Sequence, residues 1–196
     1  LSGRIKSTRK LFLLRLVFFF LFFYLLWYLL SPAYNHVLAV PSTALLKLSE
    51  IGGERITHSM EAEAGYILVH HAASVNNPNL AVRVNSRVLH FDMVLLFALI
   101  WAVPHIDWKK RMKIFLLGFA ILFGLHLLKI LVFVKREYSE NIKVDGVPYW
   151  SPFQAKAYYY IGDFIVLVGN QIFPILIWSL LFVKFWWGKR PIFGSH

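Results

Sequence analysis

Cysteine is absent from the 196 residues. A disulfide framework, an iron–sulfur cluster, a thiolate zinc site and a cysteine nucleophile therefore cannot come from this chain. Charge is scarce as well. Asp, Glu, Lys and Arg make up 16% of the residues, against about a quarter in a soluble domain. Hydrophobic residues reach 58% and mean hydropathy is +0.58, which does not suit a water-soluble globular enzyme. Acidic residues are the rarer charge, 10 against 21 Lys and Arg. A nucleic-acid binder spreads such an excess over a polar surface, whereas here the basic residues punctuate long apolar runs. The charge reads as membrane topology, and no nucleic-acid partner is expected. G-x-S-x-G, H-E-x-x-H and a phosphate-binding glycine loop are also missing, so no cofactor is expected and nucleophilic catalysis finds little support.

What is present is a set of greasy runs. The first, Leu11 to Leu30, is broken only by Arg15. At 1.5 Å rise per residue it reaches about 30 Å, the thickness of a hydrocarbon core. It is too long and too aromatic for a signal peptide and is expected to be a retained helix. Further runs cover about 88–104, 114–134 and 158–187. The expected fold is thus an all-α integral membrane protein, a single membrane domain of about four transmembrane helices over 1–196. Segment 33–50 is apolar, short and holds Pro41; it is expected as an outer interfacial or re-entrant helix. Residues 64–86 change to a period of two around Asn76-Asn77-Pro78-Asn79, which predicts a small extracytoplasmic β-hairpin. The loops facing outward are expected at 31–87 and 135–157.

Three basic clusters set the orientation. Arg4, Lys6, Arg9 and Lys10 precede the first run, Lys109, Lys110, Arg111 and Lys113 join the second to the third, and Lys184, Lys189 and Arg190 close the fourth. The positive-inside rule places both termini and the 105–113 turn in the cytoplasm.

Polar residues within spans are the informative ones, because each is costly in lipid. Lys129 falls about 7 Å inside the outer end of the third run and His126 about 12 Å. His90, Asp92 and Asp163 lie near the outer ends of their own runs, and Asn170 deeper. Together they suggest a polar pocket opening outward. Asp92 and Asp163 are the carboxylates available to Lys129. Two readings stand side by side: a structural ion pair with His126 and Asn170 as interhelical glue, or a ligand pocket. Ser86, His90 and Lys129 are the candidates for a catalytic role. In the outer loop His58, Glu61, Glu63 and His70 are of metal-ligating type, but their spacing matches no tight zinc motif, and a solvated loop is expected instead.

The stretch LAVRVNSRVLHFDMVLLFALIWAVPHIDWKKRMKIFLLGFAILFGLHLLKILVFV resembles the core of the exosortase/archaeosortase superfamily. The resemblance covers about 80–185 and rests on hydropathy with the landmarks Ala102-Val103-Pro104 and Trp108-Lys109-Lys110-Arg111. It implies a multi-pass protein of a prokaryotic cytoplasmic (inner) membrane. It also implies kinship with cysteine transpeptidases that process C-terminal sorting signals of exported proteins. The departures fall on the chemistry. The family's Cys falls near Ser86 or Arg87, its Asn-x-x-Arg becomes His126-Leu127-Leu128-Lys129, and its His falls near Gly169. A thiolate cannot be replaced without changing the mechanism, and Arg to Lys loses the bidentate fork. The resemblance therefore implies a degenerate, non-catalytic relative. It would act as an accessory or structural subunit, with the lipid bilayer and other membrane subunits as partners. A membrane-embedded processing enzyme and a lipid- or peptide-binding module are the alternatives.

Overall fold

The computed structural model describes residues 2–49, 58–63, 66–71, 81–85, 89–104, 106–141, 143–144, 147–148 and 150–187. The elements are α1 (Ser2–Ser49), β1 (His58–Glu63), β2 (Tyr66–His71), β3 (Ala81–Asn85), α2 (Phe91–Ala102) and α3 (Trp108–Asn141). There follow β4 (Lys143–Val144), β5 (Val147–Pro148), α4 (Pro152–Phe164), a π-helical turn (Ile165–Gly169) and α5 (Asn170–Trp187). The protein is mostly helical. Among the described residues, three helical stretches are long and apolar enough to cross a membrane: Lys10–Ser49, Trp108–Glu137 and Pro152–Val183. The run expected at 88–104 forms a helix of 12 residues, about 18 Å long and well short of a hydrocarbon core.

The segment expected as a separate interfacial helix at 33–50 is instead a continuation of α1, which carries Pro32 and Pro41 inside it. Proline has no N–H to give the carbonyl four residues back. At Pro32 that carbonyl belongs to Tyr28, and the Ser31 hydroxyl donates to it at 3.5 Å. Beyond this point Ser31, Tyr34, Asn35, Leu38, Ala39, Ser42 and Leu46 are all buried. Their spacing of three and four residues is that of one helix face. Because this face carries polar groups, its segment has the modest hydropathy of an interfacial helix while being a packed one.

The chain forms two compact units. One comprises 1–26, 92–122 and 171–196; the other comprises 27–91 and 123–170. In the first, α2 is apolar apart from Asp92 and nine of its residues are buried, as expected of a helix with almost no polar face. Phe97 contacts Phe23 at 5.6 Å and Phe115 at 4.5 Å between ring centroids. Gly118 permits close approach: a Cβ there would lie 3.1 Å from Leu96 Cδ2. The guanidinium of Arg111 donates to the carbonyls of Trp101 and Val103 at 2.6 and 2.8 Å. It thereby satisfies acceptors that the end of α2 leaves without intrahelical partners.

In the second unit β1, β2 and β3 form an antiparallel sheet in that order. The expected hairpin is its β2–β3 half, with Ile67 opposite Val84 and both buried; β1 extends it through a register that sets His58 opposite His71. The short β4–β5 pair lies within the loop expected at 135–157. That loop is also narrowed by α3, which runs to Asn141, and by α4, which starts at Pro152. Ser151 caps α4 through a reciprocal capping box with Gln154, and Pro152 supplies the first turn.

Candidate functional site

The second unit holds a pocket of about 250 Å³ lined by Arg83 and Asn85 of β3, Leu89, Phe133 and Glu137 of α3, Val166 and Asn170. It is smaller than a drug-sized ligand site and suits a side chain or a small head group. The π-turn places Asn170 there. The Asn170 N–H donates to the Ile165 carbonyl, five residues back, and this wider turn shifts the helix face that follows.

Lys129 is bonded to two of the pocket's lining residues. Its side chain is 1% exposed, and Nζ donates to Asn170 Oδ1 at 2.7 Å and to the Leu89 carbonyl at 3.4 Å. Both acceptors belong to residues that line the pocket. A buried ammonium is tolerated only where such partners are supplied. Asp163, an expected partner of Lys129, is engaged elsewhere: its carboxylate takes Arg136 at 2.9 Å. Arg136 crosses α4 over the ring of Tyr159 at 4.5 Å and past Gly162, where a Cβ would meet it at 3.1 Å. Tyr159, Gly162 and Asp163 share one face of the helix. Asp92 is buried in the first turn of α2, where a carboxylate complements the helix dipole.

Next to these groups lies a ring cluster. His90 and His126 are fully buried, with centroids 4.7 Å apart. Tyr34 Oη and His126 Nδ1 are hydrogen-bonded at 2.9 Å. Trp27 and Tyr34 stand edge-on to His90 at 5.9 and 4.9 Å. Neither ring nitrogen of His90 has a hydrogen-bond partner, so no proton relay links it to a described hydroxyl or carboxylate. Ser86 lies outside the described residues. Among the metal-ligating candidates, His58 pairs with His71, Glu61 with Leu68, Glu63 with Tyr66 and His70 with Ser59. Among the described residues no group of three or more His, Asp or Glu is disposed to hold a metal ion.

The structure thus brings Asn170 together with Lys129, and His90 together with His126, and pairs Asp163 with Arg136. Sequence reasoning missed Trp27, Tyr34, Arg83, Asn85, Arg136 and Glu137. A signal existed for one of these: Tyr159 and Asp163 recur at helical spacing, and such an acidic-aromatic face calls for a cation. Arg83 and Asn85 carry no signal beyond strand alternation.

Three long apolar helices, a buried lysine and a small polar pocket define a helical membrane protein. The model of a family described as exosortase H-associated membrane protein matches residues 6–185. The chain belongs to that family. The match ties it to the exosortase system as an associated membrane protein, and does not extend to the catalytic superfamily that residues 80–185 resemble. No curated protein and no solved structure matches the chain.

Proposed function

We propose that this protein is a non-catalytic accessory or structural subunit that assembles with an exosortase in a prokaryotic cytoplasmic membrane. The family match over nearly the whole chain carries this reading. The missing cysteine and the unpartnered nitrogens of His90 support it, because a transpeptidase needs a nucleophile with a base within reach. In this reading the likeness of 80–185 to the catalytic scaffold is a shared architecture without the chemistry. The chain is multi-pass, with α2 as a fourth, short membrane element. The three basic clusters keep both termini and the 105–113 turn in the cytoplasm, and the Asn170 pocket opens outward.

The test follows an exported substrate with a C-terminal sorting signal. Processing falls in cells lacking the chain, and the purified chain alone, reconstituted in liposomes, leaves the substrate intact. Processing by the purified chain alone would overturn the proposal.

A second reading, a lipid- or peptide-binding module, is favoured by one observation: the pocket joins Arg83, Asn85 and Asn170 to the apolar Leu89, Phe133 and Val166. That mixture suits an amphiphile. Native mass spectrometry of protein from its own membranes tests it by asking whether Asn85→Ala removes a retained ligand.

A further inference from the structure

Arg15 interrupts the first apolar run. In the first unit it lines an open groove of about 620 Å³ together with Arg111, Trp101, Trp108, Leu14 and Phe18. Arg15 is half-buried and has no hydrogen bond or ion pair among the described residues. Arg111 spends its donors on three backbone carbonyls, which leaves its positive charge uncompensated, and it also stacks on Trp101 at 5.4 Å. Among the described residues no carboxylate lines the groove. The nearby Asp107 is paired with Lys110 at 3.7 Å on an exposed surface. Among the described residues the groove therefore holds two guanidiniums and no counter-charge.

Its surroundings indicate the source of the missing anion. Arg15 stands four residues, about 6 Å of helix rise, inside the apolar stretch that begins at Leu11, a depth at which an arginine reaches a head group by snorkelling. Trp108 is 62% exposed and lies edge-to-face with Trp101 at 5.0 Å, as interfacial indoles do. Leu14 and Phe18 are 70% and 62% exposed, and the same surface continues through Leu21 and Leu25. A free inorganic anion would leave this apolar wall uncovered.

We propose that the Arg15–Arg111 groove binds an anionic phospholipid, its phosphate held by the Arg15 guanidinium with the buried charge of Arg111 behind it, and an acyl chain along Leu14 and Phe18. Basic pockets between membrane helices commonly hold such head groups. A zwitterionic lipid would bring an ammonium towards two cations, which gives the site its selectivity. The site is independent of whether the chain is an accessory subunit.

The full chain in non-ionic detergent, exchanged with equal amounts of phosphatidylglycerol and phosphatidylcholine and read by native mass spectrometry, tests this. The wild type retains phosphatidylglycerol by at least about fivefold over phosphatidylcholine. Arg15→Gln abolishes the preference, Arg15→Lys keeps most of it, and inorganic phosphate at the same concentration neither binds nor displaces the lipid. Circular dichroism reports whether Arg15→Gln folds. Should it not, Leu14→Glu, which sets a carboxylate at an exposed position in the groove, removes the preference with Arg15 intact. Equal retention of the two lipids by the wild type, an undiminished preference in folded Arg15→Gln or Leu14→Glu, or displacement of lipid by inorganic phosphate would overturn the proposal.

Discussion

Lys129 Nζ and Asn170 Oδ1 lie 2.7 Å apart with both side chains buried, so the amide of a pocket-lining residue fixes the end of the lysine. Removing one member of such a pair leaves the other desolvated. Asn170→Leu is expected to lower stability by about 1–3 kcal/mol, and Lys129→Met by a similar amount through the acceptors it leaves unsatisfied. The double variant loses less than the sum, with a coupling of about 1 kcal/mol or more. Reversible unfolding in mixed micelles measures all three, and strict additivity would contradict the pairing.

The Arg136–Asp163 pair is half-exposed, and its worth is correspondingly smaller. Asp163→Asn is expected to cost no more than about 1 kcal/mol. Gly162→Ile drives a side chain into Arg136 and separates the pair. In that background Asp163→Asn should have no further effect on the melting temperature.

Two glycines on α3 provide an internal contrast. A Cβ at Gly118 would lie 3.1 Å from Leu96 and 3.4 Å from Leu181, whereas at Gly124 nothing lies within 4 Å. Gly124→Ala is expected to be neutral or to stabilise by up to about 1 kcal/mol through helix propensity. Gly118→Leu overpacks the first unit and costs about 1–3 kcal/mol. Melting temperatures of the two variants in one detergent give the comparison.

His90 separates structure from catalysis. Both of its nitrogens are buried without a partner, a situation that costs about 1–3 kcal/mol for an unsatisfied group. His90→Phe keeps a ring against Trp27 and Tyr34 and is expected to be neutral or stabilising. Substrate processing in cells carrying this variant stays at the wild-type level; its loss in a folded variant would give His90 a chemical role.

The long elements were legible because hydrophobic runs of membrane-spanning length have few alternatives, and 64–86 because alternation marks a strand. Continuation of α1 past Pro32 was not, since a proline ends most helices and the Ser31 hydroxyl that serves the Tyr28 carbonyl leaves no pattern. The start of α4 at Ser151 was readable, as Ser-x-x-Gln with Pro152 is a capping signature, yet the apolar run begins only near Tyr158. At the site, Lys129, His126, His90 and Asn170 stood out as polar groups in apolar runs. The partner of Asp163 was signalled only by the Tyr159–Asp163 face that calls for a cation, because Arg136 itself follows the third run and looks like an ordinary flanking cation. The π-turn before Asn170 has no sequence mark.

Affinity purification of the chain from its native membranes, in mild detergent and without crosslinker, shows whether it associates with an exosortase. An exosortase is expected to co-purify in a fixed ratio to the chain and to stay with it through size-exclusion chromatography. Recovery of the chain as a free monomer, with the exosortase eluting separately, would contradict it.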